Sequence, residues 1–177
     1  YNFLMKKLTL ICILFLFSLY NLANAESDIV YIDIEKVISV SLPGSSILKQ
    51  LSDLKKKNSD YFMNIEKNIK NKEKKIISQK NIISEIEFNS SIDKLKIEIN
   101  DYNTNRNKTI DDFNRLKLAN TNKLLKMINQ VITNFSKEKS LLLILHKKHL
   151  VTGKTELDIS DDIIKIINEE VKEFKIK

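Results

Sequence analysis

Residues 45–152 of this chain contain neither glycine nor proline. Pro43 and Gly44 stand just before that stretch and Gly153 just after it. A fold built from many short elements needs frequent turn residues, and none of the strongest ones is available here. The stretch is rich in Lys, Asn, Ile and Glu, with apolar positions mostly three and four apart. That spacing predicts long helix folded back on itself. Exposed helices of this kind suit arms, spacers and gripping surfaces better than catalytic sites.

The N-terminal segment has another character. Met5-Lys6-Lys7 is basic, Leu8 to Tyr20 is nearly all apolar, and Ala23-Asn24-Ala25 places small residues at both key positions of a cleavage site. This is the pattern of a secretory signal peptide cut between Ala25 and Glu26, with Tyr1 to Leu4 upstream of a candidate initiator at Met5. The alternative is an uncleaved membrane anchor, but the apolar run is short against the ~20 residues that a span requires. The single cysteine, Cys12, lies in this segment, and bulky Ile11 before it does not fit a lipoprotein acceptor. The mature chain from Glu26 is therefore expected to be exported, soluble and without disulfides, stabilised by packing or assembly.

The formal net charge of +7 is unevenly spread. Residues 45–139 hold 20 basic and 12 acidic side chains, whereas residues 140–177 hold seven of each. A basic arm points to acidic partners such as anionic lipid, lipopolysaccharide or acidic polypeptide. Export argues against nucleic acid.

Along the mature chain, Ile29 to Ile34 reads as a strand. Glu35 to Ser41 reads as a short helix or turn, and Pro43-Gly44-Ser45-Ser46 as a break whose Ser45 or Ser46 caps the next helix. The ascending helix carries a stripe including Ile47, Leu51, Leu54, Phe62, Ile65 and Ile69. Neighbours such as Met63 and Ile77 make it wider than a two-helix seam needs. Asn58 and Lys72 are polar seam positions that would loosen the pair. Asn89-Ser90-Ser91 followed by Asp93 marks the hairpin tip, near 88–92. Each arm then has about 44 residues and spans ~65 Å.

Leu141 to Leu145 reads as a buried strand, His149 to Thr152 as a second strand, and Gly153-Lys154 as a turn. A final helix follows, with Ser160 as N-cap and Asp161 and Asp162 in its first turn. The expected fold class is α+β, mainly α. A long antiparallel hairpin, residues 45–139, projects from a small discontinuous body made of residues 26–44 and 140–177. Three strands and one helix make a core of roughly 60 residues, near the lower limit for independent stability. Its sheet edges would be open, and oligomerisation answers both problems.

Little chemistry is available. His146 and His149 are the only histidines, and their spacing falls at a strand connection where positions three apart face opposite sides. Two unclustered glycines cannot build a phosphate loop. Asp161-Asp162 and Glu169-Glu170 fit a helix start and a solvated face. No catalytic, cofactor or metal residue is expected, and no enzyme. The candidate binding residues are Tyr61, Phe62, Met63 and Phe88 for apolar contact. Lys55, Lys56, Lys57, Lys74 and Lys75 are candidates for acidic partners, although hairpin packing and an ordinary charged face account for the same residues.

Three features together resemble the Skp/OmpH family of periplasmic chaperones. They are the leader followed directly by Ile29-Val30-Tyr31-Ile32-Asp33, the basic helical hairpin, and the ending Leu141 to Leu145, Leu150-Val151, then Leu157-Asp158-Ile159-Ser160-Asp161-Asp162-Ile163-Ile164-Lys165. The resemblance implies a jellyfish-shaped homotrimer whose strands form a shared body and whose hairpins surround a cavity. It implies an ATP-independent holdase that keeps unfolded outer-membrane proteins from aggregating. The loop His146-Lys147-Lys148-His149 departs from the acidic or small residue common in the family. The competing reading is an exported coiled-coil spacer or envelope tether that binds no clients.

Overall fold

The computed structural model describes residues 29–172 and 174–176. The leader segment and its expected cleavage point at Ala25 and Glu26 lie outside the described residues. The order is β1 (Ile29–Ile32), α1 (Ile34–Val40), α2 (Leu42–Gln79), α3 (Glu85–Glu138), β2 (Leu143–His146) and α4 (Ser160–Glu170). Short 3-10 turns at Lys147–His149 and Thr155–Leu157 lie between β2 and α4. The fold is mainly helical with a small strand region. Among the described residues no helix is long and apolar enough to cross a membrane.

β1 and β2 pair in parallel, from Ile29 opposite Leu143 to Ile32 opposite His146. The whole hairpin is thus the crossover between two short strands, because parallel neighbours cannot be joined by a tight turn. β1 stops at Ile32, where Asp33 leaves the strand to cap α1 by accepting the Lys36 N–H at 2.9 Å.

Pro43 and Gly44 do not break the chain. They sit in the first turn of α2, and the N-cap is Ser41, whose buried hydroxyl accepts the Gly44 N–H at 3.3 Å. Proline is at home there because its missing N–H is one that a helix start leaves unpaired. Gly44 is required for another reason: a Cβ at this position would stand 1.7 Å from the Ile38 carbonyl oxygen. The pair builds a tight corner between α1 and α2. Ser45 and Ser46 cap nothing; their hydroxyls donate to the carbonyls of Leu42 (3.1 Å) and Phe174 (3.0 Å).

The tip lies at residues 80–84, not near 88–92. Ser84 and Glu87 form a reciprocal capping box that starts α3. Two orphan N–H groups are satisfied this way, which no arrangement around Asn89 matches. Ser91 instead donates back to the Glu87 carbonyl within the helix, at 2.8 Å. The earlier turn makes the arms unequal, with 38 residues in α2 and 54 in α3.

The expected second strand at His149–Thr152 is absent, and Val151 is fully exposed. The 3-10 turn after β2 diverts the chain, with the Leu150 N–H donating to the Lys147 carbonyl at 3.0 Å. The chain returns to β1 only through a bridge between Tyr31 and Asp158, closed by the Ile159 N–H on the Tyr31 carbonyl at 3.0 Å. Ser160 is not the N-cap of α4 but its first helical residue. Its buried hydroxyl accepts the Asp33 N–H at 2.8 Å and donates to the Asp158 carboxylate. One side chain thus ties the end of β1 to the start of α4. Burial pushes the Asp158 carboxyl upward, but the bonds from Ser160 and from Lys147 (3.0 Å) outweigh it and leave its pKa below the ordinary value.

The core gathers at the base of the hairpin. Val30 and Ile32 of β1, Ile47 and Leu51 of α2, Leu124, Ile128 and Val131 of α3, and Ile163, Ile164 and Ile167 of α4 pack into one cluster. The C-terminal segment straps it down. Phe174 is buried there, with its carbonyl accepting from Gln50 Nε2 at 2.6 Å and Lys123 Nζ 4.9 Å from its ring centre.

Candidate functional site

Beyond this base the arm is thinly packed. Between Leu51 and Leu124, the buried side chains among those described are Phe62, Leu95 and Asn120. Phe62 is 7% exposed and sits edge-on to Tyr61 and Tyr102, with ring centres 5.1 and 5.8 Å away. It is a packing residue and offers little surface to a partner. Its neighbours Tyr61 and Met63 are 59% and 60% exposed, because successive helical positions turn away from the seam. Phe88 is half-buried beyond the tip.

Polar bridges hold the arms together where apolar contact is scarce. Tyr102 donates its hydroxyl to Glu66, and this bond to the carboxylate raises the phenol pKa. Lys72 reaches both carboxylate oxygens of Glu98 at 2.7 Å. The polar seam position at Lys72 is therefore a cross-arm tie. At the tip, the Ser84 hydroxyl and backbone N–H both bond Glu87 and hold its carboxyl below the usual range.

A groove of about 590 Å³ opens between α2 and α3 on the body side of the Glu66–Tyr102 bridge. Short polar side chains, Asn58 and Ser59 on α2 and Thr109 and Asn114 on α3, occupy this part of the seam and leave the space unfilled. Apolar groups line it as well: Phe62, Met63, Ile110 and Phe113. Lys55, Arg106 and Lys117 supply positive charge. A second groove of about 310 Å³ adjoins it toward the tip, sharing Glu66 and lined by Ile69, Ile99 and Tyr102.

The structure thus brings Lys55, Phe62 and Met63 together from the sequence-derived set and leaves the other six apart. Lys56, Lys57 and Tyr61 point elsewhere on α2, while Lys74, Lys75 and Phe88 lie nearer the tip, outside both grooves. Arg106 and Lys117 line the groove but are not among the residues that the sequence singles out. The run Asn103 to Lys108, which holds no apolar side chain and interrupts the stripe of α3, marks the neighbourhood of Arg106, and nothing comparable marks Lys117. At the body, His146 and His149 lie edge to face at 5.8 Å, with His146 Nε2 3.4 Å from a Glu35 oxygen. Among the described residues no group of three or more His, Cys, Asp or Glu side chains is placed to hold a metal.

A family model described as outer membrane protein (OmpH-like) matches residues 28–167. No curated protein matches the sequence. Among solved structures, the chain is similar to a protein of Caulobacter crescentus CB15 described as a candidate outer membrane chaperone (OmpH-like). The superposition has a TM-score of 0.80 at 12% identity and covers 88% of this chain and 92% of the other. At that identity the likeness is one of fold: a mainly helical chain with long helices and a small strand region. The match over residues 28–167 carries the assignment, and the chain belongs to the OmpH-like outer membrane protein family.

Proposed function

We propose that this protein is an exported, ATP-independent holdase that binds unfolded outer-membrane proteins in the periplasm and keeps them from aggregating. The observation that carries the reading is the arm's surplus of apolar surface. Tyr61, Met63, Ile77, Ile82, Ile97 and Ile110 are all exposed along it, interleaved with lysines. Such a surface can hold an unfolded chain through many weak contacts, each reversible, without a nucleotide to drive release. Lys55, Lys56, Lys57, Lys74 and Lys75 are all exposed and belong to no ion pair among the described residues, so their charge is available to acidic clients or to anionic lipid head groups.

Assembly as a homotrimer completes the reading. Ile29, Leu142, Leu143 and Val151 are exposed on the body, and a sheet of two short strands is marginal alone. Copies of the chain joined at these residues would cover them and leave the arms free to surround a client. The test is aggregation of an unfolded β-barrel membrane protein at low salt. Equimolar mature protein is expected to suppress light scattering without ATP. If the protein is an elongated dimer and scattering is unchanged, the tether reading replaces this one.

A further inference from the structure

We propose that the larger mid-arm groove is a discrete subsite for one apolar side chain flanked by a carboxylate in an extended polypeptide. The proposal rests on the client-binding reading and adds what a single arm selects. The groove's volume of about 590 Å³ lies within the ~300–1,000 Å³ typical of sites that enclose a ligand group. Phe62 and Phe113 are largely packed and give it fixed walls, whereas Met63 is exposed and flexible. A mobile thioether against rigid rings can adapt to different apolar side chains.

Charge selects the neighbour of that side chain. Lys55, Arg106 and Lys117 line the groove, and none of them belongs to an ion pair among the described residues. The groove's single acid, Glu66, already accepts the Tyr102 hydroxyl. Three cations face that one carboxylate, so the groove keeps an excess of positive charge that a client carboxylate can meet. Arg106 can take it bidentately. The second groove continues along the same seam past Glu66, with Ile69 and Ile99 on walls that also carry Lys70, Glu73 and Asn103. Two hollows in line suit an extended chain rather than a compact molecule.

Fluorescence anisotropy with short labelled peptides tests this on the full mature chain. Each peptide carries one Phe in a Gly/Ser frame, flanked by Asp, Ser or Lys. At low salt the Asp-flanked peptide is expected to bind about fivefold more tightly than the Lys-flanked one, with the gap closing near 0.5 M salt. Arg106→Ser with Lys117→Ser should erase that preference, and Ile110→Ser should weaken all three peptides. Lys80→Ser with Lys94→Ser removes the same charge from exposed positions outside both grooves and should leave the preference intact. The proposal is overturned if flanking charge has no effect, if both charge variants erase it equally, or if Ile110→Ser changes nothing. It is also overturned if a second copy of the chain already covers the groove, seen as protection of Met63 from oxidation without peptide. Aggregation suppression by the same samples separates the two readings. If suppression persists while peptide binding ignores the groove, only the subsite fails. If the wild type neither binds peptide nor suppresses aggregation, the holdase reading fails with it.

Discussion

The base of the hairpin and the outer arm are built on opposite rules, although the same two helices run through both. At the base, Ile128 and Ile163 are completely enclosed, and strands, a short helix and the C-terminal strap converge on them. In the outer arm α2 and α3 have only each other, and Phe62 and Leu95 are the buried apolar side chains among the residues described there. The rest of that pairing is polar: Tyr102 on Glu66, Lys72 on Glu98, and the capping box at Ser84. Cooperative stability therefore belongs to the base, while the arm opens locally at lower cost. Apolar surface left uncovered on the arm would be a defect in a self-contained domain. In the proposed holdase it is the working surface.

The largest expected effect comes from emptying the core at the base. Ile128→Ala or Ile163→Ala should lower the unfolding free energy in a denaturant titration by about 2–5 kcal/mol. The half-exposed Ile110→Ala in the arm should cost well under that, about 1 kcal/mol or less, because most of its surface is already in water. Equal losses would dissolve the distinction between base and arm. Gly44→Ala comes next. The substitution gains about 1 kcal/mol of helix propensity. It also drives a methyl group to 1.7 Å from the Ile38 carbonyl oxygen, so the α1–α2 corner must move and the net change is destabilising. An unchanged melting temperature for this variant would show that the corner is not needed.

These two regions were not equally legible in the sequence. The three-and-four spacing of Ile47, Leu51, Leu124, Ile128 and Val131 announces the helices, and the β-branched run at Ile29 announces β1. Pro43 and Gly44 misled because their usual meaning is a break. Here one fills a helix start that lacks a partner for its N–H anyway, and the other permits a close backbone contact that spacing cannot reveal. Spacing alone does not place the tip, because two serine-containing segments compete on local chemistry, and the reciprocal bond between Ser84 and Glu87 decides between them. His149–Thr152 has strand-like residues, but a strand exists only where a neighbour pairs with it, and β1 is met at Asp158 instead. Lys55, Phe62 and Met63 could be singled out on α2. The polar run around Arg106 marks a gap in the stripe, but the place of Arg106 and Lys117 in the groove depends on the register between the arms.

Acid sharpens the comparison. The folded pKa of Asp158 lies below its ordinary value of 3.8, so its contribution is present above that pH and is lost as pH falls through the lowered value. Asp158→Asn should flatten the global acid transition in that range. Glu87 and Asp112 are likewise held low, by Ser84 and by Arg115 respectively. Both lie in the arm, so their protonation should change amide exchange nearby without moving global stability. The smallest effect is that of Ser84→Ala, which removes the cap of α3 at a local cost of about 1 kcal/mol. Faster exchange at Ile86 to Phe88 with an unchanged melting temperature is the expected signature. A shifted melting temperature would instead tie the tip to the core.

In the proposed holdase the base assembles the protein and the outer arm holds the client. Amide hydrogen exchange of the full mature protein, with and without an unfolded outer-membrane protein, reads both regions at once. Slower exchange across the arm, centred on residues 55–70 and 99–117, with the core at Ile128 and Ile163 unchanged, is the predicted result. Protection confined to the base, or none in either region, would contradict it.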